Sequence, residues 1–319
     1  MIDDSLPRFL RTRDAVLNSS DRSLRKRFEN GELTRVRSGI YVPTAEWISM
    51  DADSRYRTRV AAASHVTQLG TQFSHDSAAA MWRLPSLGAW PAQLHVLGGR
   101  SSGAKTSSDL RRHSAVLDAS PTSINGMTVT SLARTVLDMS ATTTFTRAVG
   151  MVDNALRAPD EHEFRGIHSI APATPWEILE LLKELTPYYG QAKARKILAF
   201  ASGKSGSLGE SVSRAQFHSL GLAPPELQVP FYDEDGLIGY VDFYWPELDL
   251  IGEFDGIVKY KDQVYLRGQL PEEVVIAEKL REDRLRRVVR AFTRWGWVIA
   301  TDRVRLERHI AAHGLLRTR

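Results

Sequence analysis

Residues 238–261, IGYVDFYWPELDLIGEFDGIVKYK, contain two apolar segments that acidic residues interrupt. Both segments, 240–245 and 248–255, alternate at a period of two, so each has an apolar face and a polar face. This is the pattern of half-buried β-strands, and only two residues separate the segments. The stretch therefore predicts a β-hairpin that carries acidic side chains.

The register of this hairpin decides where its acids lie. If residues 246–247 form a two-residue turn, Asp242 lies opposite Ile251 and Glu253 is its diagonal neighbour on the same face. Asp255 would then join them. A slip of one residue would move Glu253 to the opposite face, and hydrophobic alternation is what specifies register best.

Composition sets the outer limits of the interpretation. The chain has 319 residues, 42% of them hydrophobic, which predicts two or three globular units. The sequence has no cysteine, which excludes disulfides, zinc-thiolate fingers and thiol nucleophiles and favours the cytoplasm. We expect no membrane span and no signal peptide. The net charge of +4 is compatible with a polyanionic partner.

The N-terminal segment predicts a DNA-binding unit. A helix over 22–29 and an alternating basic hairpin over 33–42, turning at Ser38-Gly39, together describe a winged helix-turn-helix. The candidate contacts to phosphates or base edges are basic side chains on the helix and the wing: Arg22, Arg25, Lys26, Arg27, Arg35 and Arg37. The alternative is a charged helix face that only contacts solvent.

Residues 56–160 predict a mixed α/β unit with little chemistry of its own. His75, Asp76 and Ser77 are adjacent and cannot be aimed at one another as a catalytic triad, so we expect Ser74 or Asp76 to cap a helix. Arg134 and Asp138 are spaced for an i,i+4 pair on another helix. Residues 161–206 predict a helical connector.

Two helices flank the acidic hairpin in sequence and add candidate acids. Glu210 follows Ser207 at capping-box spacing, so capping and catalysis are both open for it. A helix from Pro271 to about residue 292 places Glu278 and Arg281 in its apolar stripe, where they must pair with each other or face a polar site.

This constellation suits hydrolysis of phosphodiesters. Carboxylates hold hard divalent cations such as Mg²⁺ or Mn²⁺, and a metal-bound water is a nucleophile. Asp242 and Glu253 are the preferred metal ligands, with Asp255 as a third. Lys259 is a candidate for neutralising phosphate charge, as are Lys261 and Lys279. The alternative is an acidic hairpin that faces bare solvent.

The C-terminal motifs resemble a known nuclease family. Asp242, ten residues, and then Glu253-x-Asp255-Gly256, followed by Glu278-Lys-x-Arg281, resemble the PD-(D/E)XK nucleases of the very-short-patch-repair type, often called DUF559 domains. The resemblance covers about residues 205–300. It implies a restriction-endonuclease-like α/β fold and metal-dependent DNA cleavage, although Asp255 stands where Lys is usual.

The first 160 residues resemble AbiEi-like antitoxins and transcriptional regulators. The matching motifs are RVRSGIY at 35–41, Ser74-His-x-Ser-Ala-Ala at 74–79 and the Thr-Ser-x-x-Arg-Thr-x-x-Asp segment at 130–138. The resemblance implies a winged-helix DNA-binding domain and regulation, with no enzymatic role for His75 or Arg134.

Together these features predict an α/β (α+β) multidomain protein. We expect a winged helix at 1–55, an AbiEi-like unit at 56–160, a connector at 161–206 and a restriction-endonuclease-like domain at 207–319. The predicted function is Mg²⁺-dependent cleavage of double-stranded DNA. The alternative is a non-enzymatic repressor or antitoxin with a degenerate nuclease-like domain and a cognate toxin as partner.

Overall fold

The computed structural model describes residues 6–13, 21–98, 108–157, 171–256 and 271–315, and it is a mixed helix and sheet protein. Two compact units divide the chain. One comprises residues 1–143 and 158–196, and the other comprises residues 144–157 and 197–319. Within the described ranges, every helix is too short or too polar to cross a membrane.

The first unit begins with a small antiparallel sheet. Strands β2 and β3 form a hairpin around Gly39, whose φ of +73° suits a glycine turn, so the predicted turn is confirmed. Helix α1 packs Leu24 against Leu33 of this sheet. The sheet order is β1-β3-β2, and the bounds are β1 Leu10–Arg11, α1 Asp21–Glu29, β2 Leu33–Arg37 and β3 Ile40–Pro43.

The remainder of the first unit is a mixed α/β region. A parallel pair, β4 and β5, lies beside an antiparallel pair, β6 and β7, and Phe73 bridges to both pairs. The elements are α2 Thr44–Ser49, α3 Ala52–Ser64, α4 His75–Met81, β4 Leu94–Gly98, β5 Leu110–Ser114, β6 Thr122–Ile124, β7 Met127–Val129, α5 Leu132–Thr142 and α7 Pro175–Glu184.

The second unit is built around one four-stranded sheet of order β11-β10-β9-β8. Only its β10–β11 pair is parallel, and helix α10 connects those two strands. The elements are α6 Phe145–Leu156, α9 Leu208–Leu220, β8 Glu226–Asp233, β9 Gly236–Trp245, β10 Leu250–Phe254, α10 Pro271–Val288, β11 Ala291–Trp295, α11 Trp297–Ala300 and α12 Arg303–Ala311. Helix α8, Gln191–Phe200, spans the division between the units.

This sheet buries both of its faces. On one face Phe243, Trp245 and Trp295 pack with Phe217 of α9 and with residues of α12. On the other face Ile251 and Phe292 pack with Leu285 of α10. Because both faces are covered, polar groups on the sheet need partners within the protein.

Helix α6 belongs to the second unit, although the sequence analysis placed residues 145–157 in the central one. Asp153 of α6 is fully buried and forms an ion pair with Arg214 of α9, whose Nη2 donates to both carboxylate oxygens at 2.8 and 2.7 Å. Gly150 lies against Leu208, where a Cβ would approach to 2.4 Å. A long-range buried charge pair fixes this boundary, and local periodicity does not reveal such a pair.

The hairpin turn differs from the expected two-residue turn. A 3₁₀ turn, Pro246–Leu248, precedes Asp249, which adopts a left-handed conformation with φ of +47°. Aspartate tolerates this conformation better than most residues. The register is Leu250 opposite Trp245, two residues from the expected one. Because the shift is even, the alternation of faces is kept over the paired residues 243–245 and 250–252, and Asp242 and Glu253 lie just beyond them.

Helix α10 ends at Val288, whereas the sequence predicted an end near residue 292. Phe292 lies in strand β11 instead. Val288 is 37% exposed, and the apolar contact to the sheet comes from Leu285 and Val289. The expected stripe therefore combined residues of a helix and of a strand, because both carry apolar side chains into the same core.

Candidate functional site

Two of the predicted acids meet at the amide of Gln228. Helix α9 supplies Glu210, and strand β9 supplies Asp242. The Gln228 Nε2 donates to Glu210 Oε2 at 3.2 Å and to Asp242 Oδ1 at 3.5 Å. Gln228 lies between the pairs Leu227–Phe243 and Val229–Val241, which puts it opposite Asp242 on the neighbouring strand.

Gln228 is the site residue that sequence reasoning missed. Its φ is +53°, in the left-handed region that a side chain with a Cβ rarely adopts. Such strain is kept only where the surroundings enforce it, and it clusters at functional sites. The sequence around Gln228 is an ordinary alternating strand, so no local signal marks this position.

Glu210 also serves the start of its own helix. Its backbone N–H donates to Ser207 Oγ at 3.2 Å, and its carboxylate accepts from Ser207 Oγ at 2.8 Å and from the Gly206 N–H at 2.7 Å. The capping role that the sequence left open is therefore present. The remaining contact, to Gln228, connects this cap to Asp242.

Asp242 has a structural contact as well. Its Oδ2 accepts a hydrogen bond from the backbone N–H of Phe254 at 2.8 Å. The ladder between β9 and β10 covers positions 243–245 and 250–252, so the Asp242 carboxylate satisfies the Phe254 N–H just beyond it. This contact fixes the side chain at the end of the hairpin ladder.

Glu253 is neutralised by two arginines. Its Oε1 accepts from Arg281 at 2.5 and 2.9 Å, and its Oε2 accepts from Arg294 at 2.7 Å. Glu253 is only 6% exposed. Burial raises the pKa of its carboxyl, while Arg281 and Arg294 lower it and Asp242 raises it further. Two guanidiniums at this distance disfavour a divalent cation on the same oxygens.

Glu278 belongs to the same arginine network. It lies 2.6 Å from Arg294 and 3.6 Å from Arg281, so the sequence-predicted i,i+3 pair is the longer of its contacts. Burial opposes the charge on Arg294, but hydrogen bonds and attraction from Glu253 and Glu278 outweigh it and raise the pKa of Arg294. The inward-facing charges on α10 therefore pair across to the sheet, as such groups must.

The other predicted acids and bases are placed differently. The Asp255 backbone N–H donates to the Trp295 carbonyl at 2.8 Å, and its half-buried side chain follows the end of β10. Lys259 and Lys261 lie outside the described residues. Lys279 is exposed on α10. Among the residues that the structure describes, no three His, Cys, Asp or Glu side chains form a group that could hold a metal ion.

The predicted DNA contacts lie on α1 and its hairpin. Arg25 and Arg27 pair with Glu29 and Glu32 at 3.0 and 3.1 Å. Lys26 and Arg35 are exposed, and Arg35 lies over the Phe28 ring. Arg37 is half-buried, and the side chain of Arg22 lies outside the described residues. Surface pairs of this kind cost little to open for a phosphate.

A second polar centre lies in the first unit and was underestimated from the sequence. Arg134 Nε donates to Asp138 Oδ1 at 2.8 Å, and these side chains are 1% and 0% exposed. Tyr188 donates from its hydroxyl to the same carboxylate oxygen. The spacing predicted this pair as a modest helix contact, but the pair is fully buried.

Three histidines surround this pair. The His75 and His113 rings stack at 3.6 Å, with His95 edge-on to His113 at 4.9 Å. Ser74 is the N-cap residue of α4, but its hydroxyl contacts the His75 ring instead of capping, and Asp76 lies 3.4 Å from His95. Ser74 therefore occupies the expected N-cap position without a side-chain capping bond, and Asp76 lies in the first turn of the helix.

Two of these histidines, His75 and His113, are held neutral. Burial lowers the pKa of His75 well below its usual range, and the neighbouring His95 and Arg134 lower it further. Burial, with His75 and His95, lowers the pKa of His113 to about 3. His75 also has φ of +48°, so its ring is held in place by a strained backbone.

The chain is similar to two uncharacterized proteins of Mycobacterium tuberculosis, one from strain CDC 1551/Oshkosh and one from strain H37Rv. Each is 31% identical over 134 residues, which is 42% of this chain and 45% of the relative. The chain thus spans less than half the length of these curated relatives. No protein-family model matches the sequence.

Proposed function

We propose that the protein binds double-stranded DNA and that its C-terminal domain hydrolyses phosphodiester bonds. The observation that carries the proposal is the meeting of Glu210 and Asp242 at one amide nitrogen, that of Gln228. Two carboxylates from a helix and a strand, 32 positions apart in the chain, share a site beside a strained residue. Carboxylates are the protein ligands that a catalytic Mg²⁺ prefers, and here two of them lie together.

The residues present fit a Mg²⁺ ion that keeps most of its waters. Such an ion needs only one or two protein carboxylates, together with the substrate phosphate. Glu210 and Asp242 would hold it, in place of the predicted set Asp242, Glu253 and Asp255. Bound there, Mg²⁺ or Mn²⁺ supplies an activated water and neutralises phosphate charge.

The surrounding residues position these two acids. Gln228 fixes their separation, and the Phe254 N–H orients the Asp242 carboxylate. Glu253 lies on β10 and pairs with Arg281 of α10 and with Arg294 of β11, so it connects these three elements. In this proposal Glu253 and Glu278 support the site without contacting the substrate, while Asp255 and Lys259 remain candidates for contact.

A restriction-endonuclease-like domain is consistent with the order of elements in the second unit. The acidic hairpin β9–β10 is flanked in sequence by α9 and α10, which each contribute charged residues to it. The DUF559-type resemblance implies this combination of a carboxylate hairpin between two helices. The finer assignment to that fold is part of the proposal.

The DNA-binding part rests on the first unit. Helix α1 is followed directly by a two-stranded hairpin, and basic side chains lie on both. Exposed cations on a helix and wing supply the nonspecific phosphate contacts on which most DNA binding depends. A winged helix of the AbiEi-like type is the interpretation that combines these features.

A non-enzymatic regulator is the second candidate, and a specific observation favours it. Glu253 is saturated by guanidiniums, and Glu210 and Asp242 both satisfy backbone N–H groups. A nuclease-like domain in which every acid has a structural partner would serve as an interaction surface. A repressor, or an antitoxin with a toxin partner, would then be the function.

Cleavage of plasmid DNA in Mg²⁺ or Mn²⁺ separates these candidates. The variants are Asp242→Asn and Glu210→Gln, with Glu234→Gln on an exposed turn as the matched control. The proposal expects cleavage by the wild type and the control and at least a hundredfold loss in the two site variants, since each removes a charged metal ligand. Absence of cleavage by the wild type, together with salt-dependent DNA binding, would establish the regulator instead.

DNA affinity tests the first unit separately. The triple variant Arg25→Ala/Lys26→Ala/Arg35→Ala is compared with Arg195→Ala/Lys196→Ala/Arg308→Ala, which removes the same charge elsewhere. If three phosphate contacts are lost, the slope of log affinity against log salt falls by about 3. Equal slopes in the two triple variants would remove the winged-helix assignment.

A further inference from the structure

The first unit contains a cavity of about 610 Å³ at the buried Arg134–Asp138 pair. This volume lies within the range of small-molecule sites. The wall combines the ion pair and stacked histidines with tyrosines and aliphatic side chains. The cavity lining includes His75, His113, Arg134, Asp138, Tyr188 and Tyr189.

Three buried polar atoms of residues that line the cavity have no hydrogen-bond partner among the residues that the structure describes: Arg134 Nη2, Asp138 Oδ2 and His113 Nε2. The distance from Asp138 Oδ2 to His75 Nδ1 is 3.7 Å, too long for a hydrogen bond. Leaving a buried donor or acceptor unpaired destabilises the folded protein. Three such atoms around one cavity indicate that a polar occupant completes them.

The charges at the wall cancel. Arg134 is balanced by Asp138 at 2.8 Å, and burial keeps the pKa of both His75 and His113 low enough for neutral rings. The wall therefore offers no net positive charge to a phosphate or a dicarboxylate. The described part of the chain also lacks a group of three metal-binding side chains here. An uncharged polar ligand fits these properties.

The rings around the cavity favour a flat ligand. His75 and His113 stack within 12° of parallel, and Arg134 lies 5.9 Å from the centre of the Tyr188 ring. Tyr189 lines the cavity and is 88% exposed, so its ring is free to close over an occupant. Aromatic side chains stack on planar rings and discriminate little between the substituents of those rings.

We propose that this cavity binds a planar, uncharged heteroaromatic molecule with a hydrogen-bond acceptor and donor on one edge, which is the chemistry of a nucleobase. The ligand's acceptor receives a hydrogen bond from Arg134 Nη2, and its donor gives a hydrogen bond to Asp138 Oδ2. His113 Nε2 makes a third contact. The source is either a free nucleoside or a base presented by single-stranded nucleic acid. This site does not depend on the carboxylates of the second unit.

Calorimetric titration of the full chain tests the proposal. The probes are adenosine, guanosine, cytidine and thymidine as free nucleosides, and ten-nucleotide homopolymers of dA and dT as strands. If a free nucleoside binds more tightly than the homopolymers do, the result supports the site with a free nucleoside as its ligand. Binding of homopolymers alone supports it with a base in a strand, provided that the variants below weaken that binding.

Two variants locate the binding. Tyr189→Ala removes an exposed ring and leaves the buried core intact, and it weakens binding about tenfold, as loss of one stacking surface does. His113→Phe keeps an aromatic ring that can stack on His75 and removes the ring nitrogens, and the loss of one hydrogen bond weakens binding about fivefold. Tyr232→Ala, an exposed tyrosine of the second unit, is the control and leaves affinity unchanged.

Two results would overturn the proposal. One is absence of binding by every nucleoside and homopolymer up to millimolar concentration. The other is binding that neither Tyr189→Ala nor His113→Phe weakens relative to Tyr232→Ala. Because Tyr189 is almost fully exposed, its variant reports on the ligand even if His113→Phe loses stability.

Discussion

The two polar centres of this protein differ in how completely their charges are satisfied. In the second unit, both oxygens of Glu253 accept hydrogen bonds from arginines, at 2.5–2.9 Å. In the first unit, the Arg134–Asp138 pair leaves one nitrogen and one oxygen without a partner among the described residues, beside a cavity. A saturated network holds elements together, whereas an unsaturated one is open to a ligand.

Residue type alone therefore does not locate function. The acids of the hairpin drew attention in the sequence, yet one of them, Glu253, is matched by two arginines. The Arg134–Asp138 pair looked like an ordinary helix contact, yet it borders the cavity. Because the charged groups of the two centres are satisfied to different degrees, substitutions in the two centres should differ in their effects.

Removal of one partner of the buried pair in the first unit should be the most damaging change. Arg134→Met leaves Asp138, which is 0% exposed, without its counter-charge. We expect the free energy of unfolding of the first unit to fall by about 3–5 kcal/mol, the usual effect of breaking a buried pair. Hydrogen exchange of the first-unit amides in denaturant measures this without interference from the second unit.

The double variant Arg134→Met/Asp138→Leu is the control for this change. It removes both charges, so no charge is left buried, and much of the lost stability should return. If the double variant is as unstable as the single one, the loss comes from packing or from the Val116 carbonyl contact of Arg134. The unpaired charge would then not be its cause.

At Glu253 we expect a smaller effect, and we expect it on stability alone. Glu253→Gln keeps the shape but removes the charge that three arginine hydrogen bonds need. We expect a loss of about 2 kcal/mol in the second unit, since hydrogen bonds to charged groups contribute roughly 1.5–3 kcal/mol. Hydrogen exchange at β10 and β11 measures it. Lost Mg²⁺-dependent cleavage without lost stability would show instead that Glu253 acts on the substrate.

Sequence patterns predicted much of the local structure for clear physical reasons. The period-two alternation at 240–255 gave the two strands β9 and β10, and their faces over the paired residues, because parity survives an even shift of register. The basic hairpin and its glycine turn were predicted equally well, since Gly39 adopts a positive φ that favours glycine. Such features depend on neighbours along the chain.

The pairings that decide function depend on distant residues. Arg281 and Arg294 reach Glu253 from 28 and 41 positions away. His75 and His113 meet because Phe73, just before the helix, bridges to Val96 of β4, and β4 pairs in parallel with β5, which carries His113. No periodicity encodes those distances, so neither the saturation of Glu253 nor the cavity could be predicted from spacing.

Acidification should lower the free energy of unfolding of the first unit by about 1 kcal/mol through His113. The pKa of His113 is lowered from 6.5 to about 3 by burial and by His75 and His95. A lowered pKa means that the unfolded chain binds the proton first, so stability is full above pH 6.5 and falls as the pH drops toward 3. Solvent screening of this half-buried ring reduces the effect between pH 7 and 4.5 to about 1 kcal/mol.

Denaturation of the first unit at pH 7 and pH 4.5 measures this loss, and His113→Phe serves as the matched variant. The variant should lose less stability between the two pH values than the wild type does, although His75 still contributes, because its pKa is lowered in the same direction. Equal losses in the two proteins would show that the His113 ring does not stay neutral when the protein is folded.

The smallest expected effect concerns the strain at Gln228 and shows whether the carboxylate site of the second unit is maintained at a cost. Gln228→Ala removes the amide but keeps the Cβ at φ of +53°, whereas Gln228→Gly removes both. A side chain in this region costs about 1 kcal/mol, so the glycine variant should be more stable than the alanine variant by about that amount. Both should release Glu210 from Asp242 and reduce cleavage equally. If the alanine variant is as stable as the glycine variant, the backbone relaxes without the amide. The bridge between the two carboxylates would then be what holds Gln228 in its strained conformation.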